Sequence, residues 1–207
     1  MGRLFNPDNP VMGFIGKIGY SIYLNLLWVL CSLPIVTVGA STTALFSVMQ
    51  KIVNEKNEGV TVEFFRAFRE NLRQSTVVWI ILLICGIVLG IDAYVLYALR
   101  FENVFWTFLS AVFLLAAAAY CIILMYVFPL MAHFENSVPA MLKNSLMIGM
   151  RFLVCTLLMG AVYFVMGYLI INVYAPLILL GEGFCALVCS YLLSGVLVLC
   201  EGRTIES

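Results

Sequence analysis

The segment FFRAFRENLRQS, residues 64–75, decides the fold of this chain, because it joins an arginine-rich stretch to a long apolar run. Its three arginines recur at i, i+3 and i+7, and two of its phenylalanines lie four residues apart on another helix face. The apolar run VVWIILLICGIVLG follows at 77–90. This pattern predicts an amphipathic helix in a membrane interface, directly before a span. The side chains concerned are Arg66, Arg69, Arg73, Phe64 and Phe68.

The composition places the whole chain in the membrane class. The 207 residues are 64% hydrophobic and 11% charged, with a mean hydropathy of +1.08. A soluble domain is about half apolar and about a quarter charged. The formal net charge is zero, so no overall positive charge attracts nucleic acid.

Long charge-free stretches predict the membrane spans. Those that follow Arg73, Glu102 and Arg151 each hold the roughly 20 apolar residues that a span requires. The last apolar run, residues 184–200, is just long enough, and Glu182 before it is expected in a water-exposed turn. We place Asp92 near the outer surface.

The first charge-free stretch, residues 18–50, predicts a hairpin. As one straight helix it would be about 50 Å long, which exceeds the bilayer core of about 30 Å. Pro34 removes a backbone donor and Gly39 permits a turn, so we predict helices at 18–35 and about 40–54. The stretch is longer than the apolar region of a signal peptide, and we expect it to be retained.

The cations predict the orientation. They concentrate in 51–73 and 131–151, and positive residues favour the cytoplasmic side. Lys143 and Arg151 belong to a second basic, amphipathic segment that precedes a span. We therefore predict an all-α polytopic bundle in a bacterial inner membrane, with both termini cytoplasmic. It has about six spans in one membrane domain, 1–207, made of three hairpins, each preceded by an interfacial amphipathic helix. The three hairpin units are 1–54, 55–130 and 131–207.

Small residues indicate where helices pack closely. Gly86 and Gly90 form a GxxxG pattern, and Ala186, Ser190 and Ser194 form a second stripe at the same spacing. Small side chains let helix backbones approach each other in lipid. We expect these contacts within the chain rather than in a homodimer.

The sequence carries no motif for catalysis. It has one histidine, and its seven cysteines fall inside apolar runs, so we expect no metal site. It has no GxxxxGK[ST] phosphate loop, no HExxH motif and no GxSxG elbow. We therefore expect no enzyme activity and no cofactor.

Three separated stretches resemble the YesL-like family of small bacterial membrane proteins. They are LPIVTVGASTTAL at 33–45, FFRAFRENLRQS at 64–75 leading into Trp79, and LKNSL at 142–146. The resemblance implies genes that lie beside carbohydrate ABC importers and polysaccharide-utilisation enzymes in Gram-positive bacteria. It implies no catalytic residues.

Two functions are consistent with these observations. The first is an accessory or regulatory subunit of a carbohydrate ABC importer, whose permease or ATPase would contact the segment 61–75. The same arginines would alternatively bind anionic lipid headgroups. The second is an autonomous channel or transporter for a small solute, which requires a polar cavity between the hairpins. The polar residues available for such a cavity are Asn25, Ser32, Thr37, Ser41, Thr42, Thr43, Asp92, Ser190 and Ser194.

Overall fold

The computed structural model describes residues 10–55, 59–99, 104–172 and 177–204. Within these ranges the chain is helical and contains no strand. Seven α-helices follow one another in these ranges, and a 3-10 turn, Ile35–Thr37, lies between the first two. The helices are α1 (Pro10–Ser32), α2 (Val38–Val53), α3 (Val60–Leu99), α4 (Val104–Met131), α5 (Val138–Arg151), α6 (Leu153–Asn172) and α7 (Ile178–Thr204).

The first hairpin, α1 and α2, turns at Pro34. Its φ of −77° and ψ of 110° are extended, and a proline cannot donate the backbone hydrogen bond that would continue α1. The Thr37 hydroxyl oxygen lies 2.6 Å from the carbonyl oxygen of Cys31 and 2.7 Å from that of Pro34, so its one proton is shared between carbonyl groups at the end of α1. The structure therefore has two helices joined at Pro34 where the sequence predicts a hairpin.

Gly39 does not form the turn, so that prediction is wrong. It lies inside α2, where a Cβ atom would be 2.6 Å from the Ser75 carbonyl oxygen and 2.7 Å from the Trp79 Cβ. The missing side chain therefore lets α2 approach α3 closely.

Helix α3 is continuous over 40 residues, which gives it a length of about 60 Å. A helix lying in the membrane plane must break before the span that follows it, and α3 has no such break. The expected interfacial helix at 61–75 is therefore the first half of one long helix.

Helix α2 lies at the centre of the bundle and packs against α1, α3, α4 and α7. Leu45, Val48 and Met49 are fully buried, as are the polar Ser41 and Thr43. Its surroundings are therefore protein on most sides.

Helix α5 is a separate amphipathic helix, as predicted for the segment before the last hairpin. Ser137 precedes it in an extended conformation, and Phe152, with φ of −108° and ψ of 53°, separates it from α6. Gly149 allows close packing on α4, because a Cβ atom there would overlap Ile122. Lys143 and Arg151 remain exposed.

Five helical segments of the described residues are long and apolar enough to cross a membrane. They come from α1, α2, α3, α4 and α6. The apolar part of α7, Gly181–Val196, is shorter than such a span within the described residues. The chain is a polytopic all-α membrane protein, as predicted. Part of the orientation prediction rests on positions outside the described residues. These positions are the ends of the chain and the cations Arg3, Lys56 and Arg100.

The predicted packing glycines divide into two cases. Gly86 packs on α4, since a Cβ atom there would be 2.6 Å from the Tyr120 hydroxyl oxygen. Among the described residues no atom lies within 4 Å of the corresponding position at Gly90, so Gly90 makes no such close contact with them. On α7 the close contact is made by Gly183, where a Cβ atom would overlap the Ser21 carbonyl oxygen of α1. Within the predicted stripe of α7, Ala186 and Ser190 are buried and Ser194 is half-buried.

Candidate functional site

The first half of α3 presents an exposed surface that we call the basic face, made of Arg66, Arg69 and Arg73 with Phe65 and Leu72. All three arginines are exposed, and 49% of Phe65 is accessible. No ion pair to these arginines occurs among the residues that the structure describes. Their charges are therefore available to an external group.

The opposite side of this half-helix is fixed to the bundle. Phe64 is fully buried, and its ring stacks on Phe68 with centroids 6.5 Å apart. Lys51 Nζ of α2 lies 3.4 Å from Glu63 Oε2, and Glu63 is itself buried. Phe64 thus cannot contact acyl chains or a partner, which corrects that prediction. Phe68 is half-buried and packs against the core.

A polar cleft of about 670 Å³ lies beside the basic face. Asn71 and Gln74 of α3 form one wall, and the turn between α4 and α5 forms the other. The Gln74 amide donates to the Asn136 carbonyl oxygen, which holds the two walls together. Glu70 and Glu135 also line the cleft, so carboxylates lie next to the arginines.

Several of the polar residues expected to line a solute path instead connect helices. Ser32 and Ser41 join α1 to α2, and Thr43 and Ser75 join α2 to α3 at 2.9 Å. The Asn25 side-chain oxygen accepts a 2.7 Å hydrogen bond from the Gly183 amide of α7. These pairs satisfy buried polar groups between helices. Of the other predicted residues, Thr42 lines a mostly apolar cavity between the helices and Asp92 lines a smaller one between α3 and α4.

A second cavity, of about 480 Å³, lies where α1, α2, α3, α4, α6 and α7 meet, and we call it the central cavity. Its walls are mostly apolar and aromatic. Glu182 lines it from within α7, so the prediction that Glu182 occupies a water-exposed turn is wrong. The sequence did hold a signal: Glu182 is the lone charge between Arg151 and Glu201. An isolated carboxylate in a membrane segment marks a functional position by default.

No group of three or more histidine, cysteine, aspartate or glutamate residues converges anywhere in the described chain. The basic face offers charge and apolar contact area, which suit binding rather than covalent chemistry.

Comparison with known proteins identifies the relatives of this architecture. The chain is 30% identical over 155 residues to Uncharacterized protein YteU of Bacillus subtilis (strain 168), which covers 71% of this chain and 68% of YteU. The chain belongs to the YesL-like family. Uncharacterized protein YesL of the same organism is 29% identical over 143 residues, covering 67% of this chain and 66% of YesL.

The family match itself covers the region that carries the basic face. Residues 21–93 match the family described as "Protein of unknown function, DUF624". This range contains most of the first hairpin, the basic face and most of α3. No solved structure matches the chain significantly.

Proposed function

We propose that this protein is a non-enzymatic accessory subunit that binds a carbohydrate ABC importer through its basic face. The observation that carries the proposal is the fixed, exposed arrangement of Arg66, Arg69 and Arg73 on a half-helix whose other side is buried. The importer as partner comes from the genomic neighbours that the YesL-like resemblance implies. We also propose that the basic face and both termini are cytoplasmic, in a bacterial inner membrane.

The composition of the basic face suits a protein partner. Arginine and aromatic side chains are enriched where interfaces bind tightly, and Phe65 stands among the three arginines. Because α2 holds this half-helix in place, little conformational entropy is lost when a partner binds. The partner surface that fits is acidic with apolar patches, on a permease loop or an ATPase.

The adjoining polar cleft favours protein over lipid as the occupant. Glu70 and Glu135 line the cleft beside the arginines, and their charges repel anionic headgroups. A protein surface can match both charges, with acidic groups on the arginines and donors in the cleft. Lys143 and Arg151 on α5 lie apart from the cleft lining and are the better anchors for anionic lipid.

The test is affinity purification of the tagged full chain from native membranes in mild detergent. We expect importer subunits to co-purify with the wild type. The triple variant Arg66→Gln, Arg69→Gln and Arg73→Gln should lose most of them. The matched control, Lys143→Gln with Arg151→Gln, removes exposed charge from α5 and should keep them.

Lipid counting in the same samples separates the two roles of the arginines. Native mass spectrometry of each variant reports the anionic lipids that remain bound. If the triple variant loses anionic lipid and importer recovery is absent or unchanged, the basic face is a membrane anchor and the proposal is wrong.

A further inference from the structure

The central cavity has the size and lining of a ligand site. Its volume of about 480 Å³ lies within the range of about 300–1,000 Å³ that holds small organic molecules. Aromatic side chains from five helices surround it, and α7 contributes a carboxylate. The residues that matter here are Trp28, Phe46, Trp79, Phe128, Tyr163 and Glu182.

Glu182 is the acidic group of this cavity. Among the described lining residues it is the one carboxyl group, and no lysine, arginine or histidine lies with it. The Tyr163 hydroxyl donates to Glu182 Oε1 over a long 3.5 Å. An ionised carboxylate in apolar surroundings is costly unless a positive charge or several hydrogen bonds compensate it. A bound cation would supply that compensation.

The aromatic rings add to the attraction for a cation. The face of an aromatic ring is negative, and tryptophan attracts cations most strongly. The Trp28 indole donates to the Thr42 hydroxyl oxygen at 3.0 Å, and the Trp79 indole donates to the Ile35 carbonyl oxygen at 2.8 Å. These bonds hold both rings in place before any ligand arrives.

The lining also excludes other ligands. A sugar needs many hydrogen-bond partners, whereas the cavity offers mainly hydrocarbon and aromatic surface. An anion would be repelled by Glu182. We propose that the central cavity binds a lipophilic organic monocation, with Glu182 as its counter-ion and Trp28 and Trp79 against its charged or hydrocarbon groups. The central cavity and the basic face share no residue, so each proposal stands or fails without the other.

The test compares two ions of the same shape and opposite charge. Radiolabelled tetraphenylphosphonium and tetraphenylborate are offered to the purified full chain in detergent, and binding is measured by equilibrium dialysis. We expect saturable binding of the cation and none of the anion. The Glu182→Gln variant, which keeps the side-chain shape, should weaken cation binding by about tenfold or more.

The matched control is Asp92→Asn. Asp92 is exposed and lines a separate cavity of about 250 Å³ between α3 and α4. This variant should bind the cation as the wild type does. If Glu182→Gln does not fold, as judged by its size-exclusion profile, the Trp28→Phe variant replaces it. Trp28→Phe weakens the ring's attraction for a cation and should lower affinity by about two- to fivefold.

Three outcomes would overturn the proposal. The first is a wild type that does not bind the cation, and the second is equal binding of cation and anion. The third is a Glu182→Gln or Trp28→Phe variant, folded, that binds as the wild type does. Each would mean that the central cavity does not hold a lipophilic cation between Glu182 and the aromatic rings as proposed.

Discussion

The two halves of α3 share one helix but face different surroundings. The first half, residues 60–74, buries Phe64 against the bundle and exposes the basic face. The second half, residues 75–99, turns Ile80, Ile84 and Ile87 outward. In the most apolar 18-residue stretch of α3, 11% of the residues are buried in the protein, compared with 67% in the corresponding stretch of α2. Protein contacts therefore fix one side of the first half, whereas the second half packs on protein at residues such as Val78 and Leu82 and turns a wide apolar side outward to lipid.

This difference has a consequence for mutations. Truncating a side chain that packs on protein leaves a cavity, whereas truncating one that faces lipid leaves only a change of lipid contact. The same kind of substitution should therefore have large effects where α3 packs on protein, as at Phe64, and small ones where it faces outward, as at Ile84.

The largest effect is expected at Phe64. The Phe64→Ala variant should lower the free energy of unfolding by about 3–5 kcal/mol, because a fully buried ring is removed from the core. Phe65→Ala is the matched control in the same turn, and should change stability by less than about 1 kcal/mol because its ring is half exposed. Unfolding in detergent, followed by tryptophan fluorescence, measures both. Equal losses would mean that the half-helix is not packed as described.

The next effect is expected where α2 meets α3. The Gly39→Ala variant should cost about 1–3 kcal/mol, because the added methyl group would press on the Ser75 carbonyl oxygen and the Trp79 Cβ. Gly90→Ala, in the second half of α3, has open space and should gain up to about 1 kcal/mol from helix propensity. Thermal inactivation of the two variants, assayed by fluorescence-detected size-exclusion chromatography, should move in opposite directions. A tolerated alanine at 39 would contradict the close approach.

A smaller effect is expected for the hydrogen bond between Thr43 and Ser75. A double-mutant cycle with Thr43→Val and Ser75→Ala should give a coupling of about 0.6–1.7 kcal/mol, as for other hydrogen bonds between membrane helices. Thr43→Val combined with Ser110→Ala should be additive, because Ser110 bonds to Trp106 within α4. A coupling energy of zero between Thr43→Val and Ser75→Ala would mean that the Thr43 and Ser75 hydroxyl groups are not hydrogen-bonded to each other.

The smallest effect is expected for lipid-facing residues of the second half. Ile84→Ala should change stability by no more than about 0.5 kcal/mol in detergent, since 56% of Ile84 is accessible outside the protein. A loss comparable to that of Phe64→Ala would indicate that this side packs on another protein chain.

The helices follow directly from the sequence, because their causes are local. Charge-free runs of span length and the missing backbone donor of Pro34 predict the first hairpin, and the structure has it. The continuity of α3 had a local signal that we did not use. Neither proline nor glycine occurs between Val60 and Cys85, so nothing breaks the helix at Arg73.

The site depends on contacts between distant segments, which the sequence does not show. The sequence does not distinguish a glycine in a turn from a glycine at a close contact between helices. Gly39 was therefore predicted in a turn, whereas it lies where α2 packs on α3. Glu182 lies between two glycines, which indicated a turn, and only the packing of six helices places it in the central cavity. Phe64 and Phe65 are equally apolar, and only the position of α2 decides which is buried.

The most direct test of the basic face as a docking surface is photo-crosslinking in living cells. Phe65 is replaced by p-benzoylphenylalanine, which keeps an aromatic ring and all three arginines, and Ile84 is replaced in the same way as the control. Crosslinked material is purified through a tag and identified by mass spectrometry. We predict importer permease or ATPase subunits attached at position 65 and only lipid at position 84. Lipid alone at both positions would contradict the docking role.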